Sequence, residues 1–164
     1  MKVNGVAETF LRHGDCYLLM KRSAFKQHYP NVWAGVGGGI EPEELAHPRQ
    51  AALREIWEET GVCAEHIANL RLRYLHISQQ DGTLIYHYVY FGQTLQTTIR
   101  QTEEGALFWI PRQQFFDREF SPAATEILRH YFATGIDTKD LYVFTTNNGF
   151  STVTPFGQEK QSSC

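Results

Sequence analysis

Three glutamates, Glu55, Glu58 and Glu59, fall close together in the run Arg54-Glu55-Ile56-Trp57-Glu58-Glu59. On a helix advancing about 100° per residue they share one arc of roughly 100°. Leu53, Ile56 and Trp57 fall on a separate arc, nearly opposite, so the spacing predicts an amphipathic helix with an apolar seam and a carboxylate face. Like charges at these separations repel by roughly 0.2–0.5 kcal/mol per exposed pair. Arg54, four residues before Glu58, offsets part of that repulsion but is one cation against three anions. A hard divalent cation would offset the rest, and magnesium (or manganese in its place) prefers a few carboxylates completed by substrate phosphates. The helix alone is equally consistent with a solvated acidic face.

Gly35, Gly37, Gly38 and Gly39 precede the helix and imply a backbone that turns sharply and exposes its carbonyls. A glycine loop leading into a three-carboxylate helix offers a metal both backbone and side-chain oxygens. That combination is more specific than either part.

These residues resemble the Nudix box, G-x5-E-x7-R-E-U-x-E-E-x-G-U, with U a bulky aliphatic residue. Here Gly38, five residues, Glu44, nine residues and Arg54-Glu55-Ile56-Trp57-Glu58-Glu59-Thr60-Gly61-Val62 occupy its fixed positions. The single departure is two extra residues between Glu44 and Arg54, assigned to Leu45-Ala46 in the loop before the helix, where added length costs little. The insertion should leave the carboxylates in place and opens the role of Glu44 to question. Further similarity to the MutT-like subgroup lies in Leu18-Leu19-Met20-Lys21-Arg22, in Trp33-Ala34-Gly35-Val36-Gly37-Gly38 and in Glu103-Glu104-Gly105-Ala106-Leu107-Phe108-Trp109-Ile110-Pro111.

The resemblance implies a magnesium-dependent hydrolase cutting a phosphoanhydride bond in a nucleoside diphosphate-linked substrate. It implies Glu55, Glu58 and Glu59 as metal ligands, joined by the Gly37 carbonyl, with Glu104 as a further ligand or the base and Arg54 as an orienting partner. Gly38, Glu44 and Gly61 are motif positions with a structural part. Candidate bases are Glu55 and Glu104, and Glu58→Gln is expected to abolish most turnover. Arg22 or Lys21 would steady a phosphate, although a surface pair at a strand end is as good a reading. The subgroup favours a nucleoside triphosphate, oxidised or not, cut to monophosphate and pyrophosphate. ADP-ribose, nucleotide sugars and dinucleoside polyphosphates stay open. A paired-aspartate purine reader of some members has no counterpart, because Ala123 and Ala124 stand after Pro122. A nucleotide sensor of the same fold and a metal-free interaction protein are the competing classes.

For base stacking the candidates are Tyr29, Trp33 and the alternating Tyr86, Tyr88 and Tyr90, with sheet packing the favoured reading of the stripe. Among the histidines, His28 is singled out for its place before Trp33; the others, which include His76 and His87, read as surface or core fillers.

Elements that would position these groups follow from turn and cap signals. Val3–Leu11 and Cys16–Met20 read as a hairpin about His13-Gly14-Asp15. Pro48 opens a helix that runs to Thr60 and stops at Gly61. Leu70–Ser78 and Leu84–Leu95 form a hairpin about Gln80-Asp81-Gly82, and Ala106–Ile110 is a short strand. Ser121-Pro122 caps a second helix to about Ala133, and a last hairpin turns at Asn147-Asn148-Gly149. The expected architecture is an α/β (α+β) sandwich with a central mixed sheet and two principal helices, one domain over residues 1–157 and a frayed tail over 158–164.

The chain has 164 residues, 42% hydrophobic and 20% charged, ordinary for a soluble domain with a core of its own. A formal charge of −3 argues against polymeric nucleic acid as ligand and leaves a small nucleotide open. Cys16, Cys63 and Cys164 lack paired spacing, which points to the reducing cytoplasm. No stretch of about 18 apolar residues is present to span a membrane, and a monomer or homodimer is expected.

Overall fold

The computed structural model describes residues 2–136, 138–147 and 150–157. Nine strands among them form one mixed sheet: β1 (Lys2–His13), β2 (Cys16–Arg22), β3 (Trp33–Ala34), β4 (Val36–Gly39), β5 (Ile67–Gln80), β6 (Thr83–Thr94), β7 (Gly105–Pro111), β8 (Tyr142–Asn147) and β9 (Phe150–Pro155). The main path runs β3-β2-β1-β6-β5-β8-β9, with β4 on β1 and β7 on β2. Helix α1 (Pro48–Thr60) covers one face and α2 (Pro122–His130) the other. This is the expected sandwich with a mixed sheet and two principal helices. Among the described residues no helix is long and apolar enough to cross a membrane.

The hairpin signals are met. Gly14, at φ 56°, turns β1 into β2, and Leu11 faces Leu18 across the pair. Asp81 and Gly82, both at positive φ, turn β5 into β6. The last hairpin pairs Thr145 with Thr152, while Asn148 and Gly149 of its expected turn lie outside the described residues, as does the tail over 158–164.

Long β1 is the spine of the sheet. One edge pairs in parallel with β6 from Lys2 to Arg12, and the other is divided between β4 (at Val6–Thr9) and β2 (at Leu11–His13). That division brings the glycine strand beside β1. Gly37 must be glycine there, since a Cβ would lie 2.1 Å from the Ala7 carbonyl oxygen.

Pro48 occupies the first turn of α1, and Gly61 ends it at φ 74°, the left-handed cap that glycine adopts without strain. The buried stripe of α1 is Ala51, Ala52, Ile56, Glu59 and Thr60, not the expected Leu53-Ile56-Trp57 seam. Trp57 is 47% exposed. The helix is rotated because small alanines let it approach the sheet closely, which carries Glu59 into the interface. α2 begins as predicted, with the Ser121 hydroxyl accepting from the Ala124 amide. Its α-helical pairing ends at His130, and the chain continues as one π-helical turn, Tyr131–Gly135, in place of an α-helix to Ala133.

Within β5 the register against β6 slips between Leu72 and Tyr74. A bulge there changes which face the side chains take. Leu70 and Leu72 pack on the α1 side, whereas Tyr74, two residues further on, packs under α2. Tyr88 and Tyr90 of the tyrosine stripe belong to the α1 side, as sheet packing requires.

Candidate active site

The acidic helix meets the glycine strand at three points. The Gly37 amide donates to Glu59 Oε2 at 2.8 Å. The Glu55 carboxylate fills the space of the missing Gly38 side chain, where a Cβ would lie 2.6 Å from Oε1. Arg54 donates to the Gly39 carbonyl at 2.8 Å. A side chain on Gly38 would therefore displace Glu55, which explains glycine at a position whose backbone φ is unexceptional.

Arg54 organises the carboxylates. Its Nε and Nη2 donate to the two oxygens of Glu44, each at 3.0 Å, a bidentate pair, and its Nη1 donates to Glu55 at 2.7 Å and to Glu58 at 3.1 Å. Glu44 also accepts from the Glu41 amide within the 3₁₀ turn Pro42–Glu44, in a capping box. Leu45 and Ala46 form an exposed turn after it, so the two extra residues bulge outward and leave Glu44 within reach of Arg54.

Burial sets the electrostatics. Glu59 is 5% exposed and its pKa is pushed up to about 7, chiefly by desolvation, with the Gly37 amide and the charge of Lys26 acting in the opposite sense. Desolvation likewise raises Glu55, partly countered by Arg54. Hydrogen bonding to Arg54 holds Glu44 below the ordinary carboxylate range.

A divalent metal fits this donor set. Every group is a hard oxygen, one arginine balances several carboxylates, and burial penalises Glu55 and Glu59 until a cation joins them. Among the described residues no three acidic or histidine side chains converge as a preformed cage. Glu59 is turned to the Gly37 amide, while Glu55 and Glu58 are held by Arg54.

Beside the acids lies a cavity of about 480 Å³ between the sheet and the first half of α2. Gly35 and Gly37 are among its lining residues. Trp33 and Arg22, both singled out in the sequence, line it, as do Tyr29, Ala123 and Ala124. Lys21, adjacent to Arg22 in β2, is exposed and absent from the lining. His28 is exposed too; only its carbonyl takes part, accepting from Arg22 at 3.2 Å. Glu104 is half-exposed and ion-paired with Lys26.

Several functional candidates escaped the sequence reading. Glu8 is buried on β1, accepts from the Gly35 amide at 2.8 Å and lies 3.0 Å from His87 Nε2. Glu8, His87 and His76 all line the cavity. The two histidines face each other across the β5–β6 hairpin. A two-residue turn at Asp81-Gly82 fixes that pairing, so the signal was present in the hairpin register. Lys26, whose charge reaches Glu59, carried no signal beyond its place in the loop before Trp33. Arg100 donates to the Trp57 and Glu58 carbonyls at 2.6 and 3.0 Å and stacks over Trp57, closing the C-terminus of α1.

Comparison with known proteins bears on the family and the fold. The profile of the NUDIX domain family matches residues 5–131. The fold is that of the MutT protein from Bacillus halodurans (TM-score 0.71, 17% identity, 95% of this chain and 99% of that one). It is likewise that of the MutT protein from Methanosarcina mazei (0.68, 18%, 84% and 97%) and of the ADP-ribose-bound NUDIX domain of Shewanella oneidensis NrtR (0.60, 17%, 80% and 86%). Over 34 residues the chain is 56% identical to diphosphoinositol polyphosphate phosphohydrolase 2 of Mus musculus, covering 21% of this chain and 18% of that protein. The match thus spans less than a fifth of that relative's length.

The chain belongs to the NUDIX family.

Proposed function

We propose that the chain is a magnesium-dependent Nudix pyrophosphohydrolase and that its substrate is a nucleoside triphosphate, oxidised or not, which adds water to give the monophosphate and pyrophosphate. One observation carries this reading. Gly37 is shared: its amide fixes Glu59, and it also lines the 480 Å³ cavity. A nucleoside seated against Trp33 would therefore present its phosphates to the acidic helix.

Glu55, Glu58 and Glu59, with the Gly37 carbonyl, would hold the metal. When bound, it would neutralise phosphoryl charge and make water a better nucleophile. Arg54 keeps Glu55 and Glu58 oriented from outside, and Glu44 fixes Arg54. Arg22, which lines the cavity, and Lys26, whose charge reaches Glu59, would steady phosphate oxygens. Two glutamates are candidates to take the proton of the attacking water, Glu55 and Glu104. The pairing of Glu104 with Lys26 favours Glu55. Among the described residues Cys16 and Cys63 form no disulfide, in keeping with a reducing, cytoplasmic setting.

The test is a magnesium assay across nucleoside triphosphates, their oxidised forms, ADP-ribose, nucleotide sugars, dinucleoside polyphosphates and diphosphoinositol polyphosphates, scored by release of phosphate or pyrophosphate. Glu58→Gln should lower kcat at least ~100-fold with the melting temperature preserved. Near-normal turnover in that variant would overturn the metal assignment. Inactivity of the wild type toward every compound would favour a nucleotide sensor.

A further inference from the structure

A second cleft, of about 360 Å³, lies on the same face of the sheet but further along the strands, under the π turn that follows α2. Phe10 is the one wall it shares with the substrate cavity. Four cations line it, Arg12, Arg71, Arg73 and Lys139, and no Asp or Glu is among the described lining residues. None of the four forms an ion pair within the described residues.

Arg73 is the most telling. It is 4% exposed, yet its guanidinium donates only to neutral acceptors: the Asp140 carbonyl at 3.0 Å, the Gly135 carbonyl at 2.7 Å and the Thr138 hydroxyl at 3.0 Å. These dipoles orient the group, no carboxylate among the described residues balances its charge, and burying a charge without such a partner is costly. Tying the π turn to β5 would account for Arg73 by itself. It does not account for Arg12, Arg71 and Lys139 gathering on the same cleft, where like charges repel, in a chain whose net charge is negative. The remaining walls include Tyr17, Phe91 and Tyr131, the last two stacked with centroids 3.5 Å apart, so the cleft has a firm aromatic side. Its volume is that of an ordinary small-molecule site.

We propose that this cleft is a second binding site, separate from the substrate cavity, for a small molecule bearing a multiply charged oxyanion, either a phosphate ester or a polycarboxylate. The guanidinium groups supply the forked donors that such oxyanions take, and Lys139 adds charge at the rim.

Calorimetric titration of the full chain tests this, in EDTA and at fixed ionic strength, with inorganic tripolyphosphate in one arm and citrate in the other. One saturable site is expected in at least one arm. Arg71→Ala combined with Lys139→Ala, both exposed in the free protein, should weaken it at least tenfold, whereas Glu58→Gln in the acidic helix should leave the Kd unchanged. Preference for tripolyphosphate identifies a phosphorylated ligand, preference for citrate a polycarboxylate, and similar affinities the oxyanion alone as the recognised feature. No saturable binding in either arm, binding indifferent to the double substitution, or binding lost equally in Glu58→Gln would overturn the proposal.

Discussion

The Glu55 carboxylate occupies the volume that any side chain on Gly38 would need, with Oε1 2.6 Å from the position of a Cβ. Gly38→Ala should therefore act through Glu55. The expected result is a loss of about 100-fold in kcat/KM, about 3 kcal/mol of transition-state stabilisation, with a smaller change in melting temperature. Steady-state kinetics beside a thermal melt checks it. Wild-type turnover in a folded Gly38→Ala protein would mean that Glu55 can shift without consequence.

Glu44→Gln keeps a side chain of the same shape but removes the charge that fixes Arg54. Because Arg54 also holds Glu55 and Glu58, the substitution should lower kcat about tenfold and leave KM for the nucleotide nearly unchanged. Arg54→Lys, which cannot reproduce the fork, should cost more. A purely structural part for Glu44 would instead show as lost stability with kcat intact in the remaining folded enzyme.

The acidic helix was legible from its residues, and the reasons are local. Pro48 and Gly61 punctuate it, and the carboxylate spacing is a property of the helix itself. Its rotation was not legible. Whether Trp57 or Glu59 is buried depends on how closely Ala51 and Ala52 let the helix approach β4, a tertiary matter. The cavity was half legible. Trp33 and Arg22 sit on strands next to the motif, but Glu8 comes from the spine strand and His76 from beyond a bulge that reverses the alternation of β5. The strength of the Glu44 anchor could be settled only by seeing where Leu45 and Ala46 go.

Arg100 caps α1 from a loop more than forty residues away in the chain, through two carbonyls and the face of Trp57. Arg100→Ala should destabilise the protein by about 1–2 kcal/mol, from lost hydrogen bonds, helix-end charge and stacking. For a chain of this size that is a fall of roughly 2–8 °C in Tm. Trp57→Ala made with it should cost less than the sum of the two single changes, since both report one contact. Additive losses in a thermal-melt cycle would separate the two.

His76 sets a pH limit on stability. It is buried, 7% exposed, with Phe144 edge-on at 5.1 Å, Nε2 3.3 Å from the Thr146 hydroxyl, and His87 and Glu8 facing it. Burial lowers its pKa from 6.5 to about 4; the charge of His87 acts in the same sense and Glu8 opposes it. Between those values the unfolded chain holds the proton and the folded chain does not, so stability falls as pH drops from 6.5 towards 4 and the loss is complete below that. The gap corresponds to about 3 kcal/mol at most. His76→Gln, neutral and able to keep a hydrogen bond to Thr146, should remove this part of the acid slope while carboxylate contributions below it persist. Urea unfolding of both proteins at half-unit steps from pH 7.5 to 4 provides the comparison. Parallel slopes would show that His76 takes up its proton in the folded protein as readily as in the unfolded chain.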